Sequence, residues 1–188
     1  TPLYSSAASD VYKRQGFMGT GKSALGRQLA KRWRRRFYDT DELVEKLAGA
    51  TIADIFAQHG EEHFRSLERQ VVETLLPECG AVIACGGGLV VPPGMGELVR
   101  SKGIVVTLFA SVDTILRRTA GNSRRPLLKG EDPEARIREL MKKREQAYMQ
   151  AGIAVYTDGR SLQQLCVIVE RVYEREARAL LKSRPKPE

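Results

Sequence analysis

No apolar run in the sequence approaches the roughly 18 residues that a membrane-spanning helix needs, so no helical span is expected. Cysteine is scarce and scattered: Cys79, Cys85 and Cys166 form no CxxC pair and have no histidine at metal-ligand spacing. An odd, dispersed trio excludes a disulfide framework and a zinc site, and a reducing cytosol is the expected compartment. A charged-then-apolar leader is also missing, which again predicts a soluble, cytoplasmic chain. Residues 1–15 (TPLYSSAASDVYKRQ) lack an initiator Met and any helical or alternating apolar periodicity, and are expected to be a non-native or disordered leader.

What is present suits one domain. A chain of 188 residues with 42% hydrophobic content can bury one sizeable core. Lys+Arg 31 less Asp+Glu 23 leaves a net charge of +8, which favours anionic partners such as phosphates, carboxylates or nucleic acid without choosing among them.

From Gly16 onward short apolar runs alternate with amphipathic stretches, the pattern of βαβ units around a parallel sheet. Buried strands are expected at AVIAC (81–85) and IVVTLFA (104–110), with shorter ones at FYDTD (37–41) and IAVYTD (153–158). Helices are expected over 22–33, 41–49, 52–60 with Thr51 as cap, 61–77, 111–121, from Asp132-Pro133 to 152, and from Ser161 onward. A strand should also precede the Gly-rich segment at 16–23, yet only Val11 and Tyr12 are suited to one. Lys13, Arg14 and Gln15 stand where a central strand is normally a Val/Ile/Leu run, so the first strand is expected to be absent or replaced. The expected boundaries are a leader at 1–15, a domain at 16–175 with a lid at 121–132, and a helix end with a frayed tail at 176–188.

Six constellations carry chemistry. GFMGTGKS at 16–23 satisfies GxxxxGK[ST], whose inward-turned backbone amides and helix N-terminus cradle phosphates. Gly19, Thr20, Gly21, Lys22, Ser23 and Ala24 are the expected cradle, with the Lys22 ammonium on the β- and γ-phosphates and the Ser23 hydroxyl on Mg²⁺. Asp39 and Asp41 are two residues apart and would share one side of an extended strand. Asp39 is assigned to the metal, and Asp41 to the attacking hydroxyl as base. Arg65 and Glu68 at i and i+3 form an oriented guanidinium suited to a carboxylate. Gly86, Gly87 and Gly88 let a substrate approach the backbone after a strand. Arg144, on the late helix with Tyr148, is a second carboxylate clamp, and Arg125 in the polar loop is a lid cation for the transferring phosphoryl group.

In this order and spacing, GFMGTGKS, DTD, FRSLE, ACGGG, SRRPLL and KKREQAY resemble the shikimate kinase family from Gly16 to about Tyr173. The resemblance implies an α/β, three-layer P-loop kinase fold with a five-stranded parallel sheet flanked by helices and a mobile lid. It implies transfer of the ATP γ-phosphoryl group, with Mg²⁺, to the 3-hydroxyl of shikimate by a monomer. It also implies that Asp41, Arg65, Gly87 and Arg144 contact shikimate, that Arg118 packs on adenine, and that Arg160 borders it. Cys85 departs from the family, where a hydroxyl residue often precedes the glycines. Competing readings are a related kinase for another hydroxy acid, a silent nucleotide-binding module, and nucleic-acid binding through Arg32, Trp33, Arg34, Arg35 and Arg36; no nucleic-acid or membrane partner is expected.

Overall fold

The structure, a computed structural model, describes residues 11–16, 19–119 and 132–183. Five strands, β1 (Val11–Gly16), β2 (Arg36–Asp39), β3 (Ala81–Ala84), β4 (Ile104–Phe109) and β5 (Ile153–Tyr156), form one sheet in the order β2-β3-β1-β4-β5. Every pairing is parallel. Around them lie α1 (Lys22–Trp33), α2 (Thr40–Ala48), α3 (Ile52–Gln70), α4 (Met95–Ser101), α5 (Val112–Thr119), α6 (Pro133–Ala151) and α7 (Leu162–Ser183).

Alternation along the strands makes the three layers. In β3, Ala81 and Ile83 join the core under α2, α3, α4 and α6, whereas Val82 joins the core under α1 and α7. In β4, Val105 faces the first layer, and Ile104, Val106 and Leu108 face the second. A period of two on strands buried on both faces explains why these segments read as continuous apolar runs.

The first strand is present, which corrects the expectation that it is absent or replaced. β1 lies at the centre, from Val11 opposite Ala81 to Arg14 opposite Ala84 on one side, and from Tyr12 opposite Ile104 to Gly16 opposite Leu108 on the other. The ladder is made by main-chain groups, so two well-formed neighbours can recruit a segment whose composition argues against a strand. Residues 1–10 of the expected leader lie outside the described residues, as do 121–131 of the expected lid.

Caps expected at Thr51 and Asp132 both form: Thr51 Oγ1 accepts from Asp54 N–H at 3.2 Å, and an Asp132 carboxylate oxygen accepts from Ala135 N–H at 2.9 Å. Ser161 and Gln164 cap α7 reciprocally, with Ser161 N–H donating to Gln164 Oε1 at 2.8 Å. The separate helices expected over 52–60 and 61–77 run on as α3, broken at Gly60 (φ 77°, ψ −176°) and ending in a π-helical turn, Val71–Leu75. That backbone conformation is open essentially to glycine alone. Helix α4 was not anticipated, because Pro92, Pro93, Gly94 and Gly96 mask a short apolar face that buries Met95 and Val99.

Lys13 pairs with Ile83 and Val105, and Arg14 with Ala84 and Val106, all four partners being buried. Replacing both Lys13 and Arg14 with Val should therefore raise the thermal midpoint, each 1 kcal/mol gained moving it by about 2–4 °C at this chain length. Differential scanning calorimetry checks this, and a lowered midpoint would contradict it.

Candidate active site

The chain leaves the carboxyl ends of β1, β2 and β3 into three neighbouring turns. In an open parallel sheet, ligands bind at this edge where strand order diverges, here on either side of β1.

The first turn delivers the chain to α1. Gly21 is its N-cap in a left-handed conformation (φ 94°), and Leu25 N–H closes the first helical turn on the Gly21 carbonyl at 3.0 Å. The orphan amides and positive dipole end of α1 consequently face the loop, next to Lys22. Gly19 and Ser23 are half-buried, Thr20 is buried, and Ala24 is exposed on the first turn.

The second turn corrects the strand argument for Asp39 and Asp41. Asp39 ends β2 and caps α2, while Asp41 already belongs to the helix. Asp39 Oδ1 accepts from Asp41 N–H at 3.2 Å, and its Oδ2 accepts from Ser23 Oγ at 2.8 Å. The capping role and the contact with the phosphate-loop serine are thus filled by one carboxylate. A helix start, not strand alternation, brings Asp41 toward the site.

The third turn, Gly86 to Gly88, is where the acceptor residues meet. A Cβ on Gly86 would collide with Asp41 Oδ1 and lie 3.2 Å from a Glu68 carboxylate oxygen. One on Gly88 would lie 2.7 and 2.8 Å from the two terminal nitrogens of Arg65. Two side chains therefore occupy space that any residue with a Cβ would fill. The Gly86 N–H donates to Thr40 Oγ1 at 2.8 Å in a buried contact. The Gly87 carbonyl accepts from the Tyr148 hydroxyl and, at 3.4 Å, from Arg144 Nη1. Thr40 and Tyr148 carry no chemical signal of their own in the sequence, and their anchoring roles emerge only from the fold. Cys85 is buried in the core just before the turn.

Charge at the site is tuned by burial and by close neighbours. Burial, with the Asp39 carboxylate adding to it, raises the Asp41 pKa from 3.8 to about 6 against the opposing pull of Lys22 and Arg65. Burial likewise pushes Glu68 up to about 7, partly offset by Arg65. The Arg65–Glu68 pair closes at 2.6 Å, with Glu61 on the other flank at 2.8 Å. Burial opposes the charge on Arg65, but Glu68 outweighs it and the guanidinium is held cationic. The phenol of Tyr148 is raised above its ordinary value by burial.

Arg118, on α5, is not at the glycine turn. It reaches Thr157 Oγ1 at 3.0 Å and the carbonyls of Thr20 at 3.4 Å and Gly19 at 3.5 Å, linking the loop after β5 to the phosphate loop. Arg160 lies on the same loop after β5 and donates to the Tyr156 carbonyl. Arg125 lies outside the described residues. The basic run at 32–36 is engaged within the molecule: Arg32 holds Glu170 through two bonds of 2.8 and 2.9 Å, and Arg35 stacks 5.3 Å from the Tyr173 ring centroid. Those contacts compete with the nucleic-acid reading.

A family model described as "Shikimate kinase" matches residues 18–174. A shikimate kinase of Deinococcus radiodurans is 46% identical over 160 residues, spanning 85% of this chain and 80% of that one. One from Symbiobacterium thermophilum is 46% identical over 167 residues, spanning 87% and 96%. Among solved structures, shikimate kinase from Acinetobacter baumannii in complex with shikimate superposes with a TM-score of 0.83 at 33% identity, covering 90% of this chain and 95% of that one.

Asp41 and Glu68 bind protons more tightly folded than unfolded, so their contribution to stability declines as pH rises from the ordinary carboxylate range through about 6 for Asp41 and about 7 for Glu68. Asp41→Asn keeps the shape without the charge. It should be more stable than the parent by about 1–2 kcal/mol at neutral pH, solvent screening of a partly exposed group allowed for, with the gap closing near about pH 4. Urea melts across that range measure the effect; an equal gap at both ends would contradict it.

Proposed function

The chain belongs to the shikimate kinase family, and from that premise we propose how its own residues divide the ATP-dependent phosphorylation of shikimate, a step of aromatic amino-acid biosynthesis. The observation that carries the reading is convergence: Asp41, Arg65 and Arg144, from three helices, all meet the turn at 86–88, with Lys22 close enough to pull on the Asp41 carboxyl.

Arg65 and Arg144 grip the carboxylate of shikimate, since a guanidinium fork matches a carboxylate in plane and in spacing. That grip leaves the 3-hydroxyl facing Asp41. At neutral pH a carboxylate with a pKa of about 6 is largely ionised, so Asp41 orients the hydroxyl and takes its proton late in a loose transition state. The hydroxyl oxygen bonds to the γ-phosphorus as the bond to the bridging β,γ oxygen breaks, and ADP departs. Gly19, Thr20, Gly21, Lys22, Ser23 and Ala24 cradle the phosphates, and Lys22 offsets charge that spreads over them. The contacts of Arg118 with the phosphate loop and the loop after β5 support a place beside the adenine, with Arg160 at its border. Arg125 remains the proposed lid cation, within a domain proposed at 16–175 to which the central strand adds residues 11–15.

A hydroxyl and a carboxylate oxygen 2.8 Å apart make an all-oxygen donor set that suits a hard divalent cation. Ser23 and Asp39 would hold Mg²⁺, which when bound supplies neutralisation of the phosphate oxygens. The cytoplasm is the assigned compartment, supported by three free cysteines, one of them exposed.

A coupled ADP assay with shikimate tests the whole. Lys22→Ala should nearly abolish turnover with the thermal midpoint kept. Arg65→Ala should weaken shikimate binding by about ten- to a hundredfold, the loss of a charge-assisted hydrogen bond, while ATP binding changes little. Equal losses for both ligands would contradict the carboxylate assignment. The shikimate-dependent rate should fall as pH drops through about 6, with Asp41 protonation; a flat profile there would remove Asp41 as the base.

A further inference from the structure

Arg65 has two edges that can take a carboxylate bidentately, the Nε/Nη2 side and the Nη1/Nη2 end. The side edge is filled: Nε and Nη2 both donate to Glu61 Oε1, at 3.2 and 2.8 Å. The end edge faces glycine. A Cβ on Gly88 would lie 2.7 Å from Nη1, 2.8 Å from Nη2 and 3.1 Å from Cζ, distances that put it in the guanidinium plane in front of that end. Nη1 is further engaged by Glu68 at 2.6 Å. In this structure, then, neither edge of Arg65 stands open to an arriving carboxylate.

The two acidic partners differ. Glu68 is 2% exposed and its oxygens lie among Arg65, Asp41 and Gly86, so releasing it would strand a buried carboxylate. Glu61 is 67% exposed and is the first residue after the break at Gly60. An ion pair of that exposure is weak, and its carboxylate is readily rehydrated on release.

We propose that Glu61 is a displaceable internal carboxylate: it holds the side edge of Arg65 in the ligand-free enzyme and yields that edge to the carboxylate of the substrate. The inference rests on the carboxylate-clamp reading of Arg65 above and adds the group with which the substrate competes. Because one carboxylate replaces another, the charge on Arg65 stays compensated throughout. The exchange also sets a specificity threshold. An acid that offers no hydroxyl to Asp41 gains nothing to offset the Glu61–Arg65 contact it must break, whereas a hydroxylated ring acid does.

Isothermal titration of shikimate into the full chain, alongside steady-state kinetics, tests this with Glu61→Gln, Glu61→Ala and Arg65→Ala. Removing the competitor should tighten shikimate binding by about two- to fivefold, the range an exposed ion pair supports. The KM for shikimate should fall to match, with the KM for ATP unchanged. Both Glu61 variants act in the same direction, so one suffices if the other folds poorly. Unchanged or weakened shikimate affinity in a folded Glu61 variant overturns the proposal, since a group that merely positioned Arg65 would weaken binding when lost. Full affinity in Arg65→Ala would instead overturn the clamp reading itself.

Discussion

The absence of side chains at Gly86 and Gly88 is the constraint from which the rest of the site follows. Asp41 and Arg65 sit where Cβ atoms would be, and the turn is fastened from outside by Thr40 at the Gly86 amide and by Tyr148 at the Gly87 carbonyl. Four segments from α2, α3, α6 and the end of β3 thereby share one small volume. A buried turn with its polar groups satisfied by neighbouring helices is rigid, and rigidity is what an in-line transfer asks of the groups that aim the nucleophile.

The carboxylates around that turn show how function is built against stability. Asp41 and Asp39, half-buried, stand close to the buried Glu68, and two of the three are held above their ordinary pKa mainly by burial. Among the described residues the cations Lys22, Arg65 and Arg144 offset that charge, and each also meets a ligand charge in the proposed mechanism. Ligand binding and charge compensation are in this sense a single property of the site.

Much of the architecture was legible because strands buried on both faces announce themselves, as AVIA and IVVTLF do, and because Thr51, Asp132 and Ser161 are strong helix starts. The Arg65–Glu68 pair was legible from its spacing. Less could be read where main-chain geometry overrides side-chain pattern. β1 pairs on both sides through its backbone despite Lys13, Arg14 and Gln15, and Asp41 lies on a helix because Asp39 caps one there. Glu61 is silent for a related reason: a surface acid on a helix carries no signal until the fold turns Arg65 back toward it. The anchoring of Gly87 by Tyr148 spans 61 residues of sequence and leaves no local trace.

The far end of α1 has an optical consequence. Trp33, the only tryptophan in the chain, closes that helix and packs 5.0 Å from the Tyr173 ring on α7, with the Arg35 guanidinium over both rings. At about 1.5 Å rise per residue, roughly 16 Å of helix separates it from Lys22. Intrinsic emission from this enzyme therefore reports the docking of the C-terminal helix. A quench or blue shift recorded on adding nucleotide would report a change in that packing.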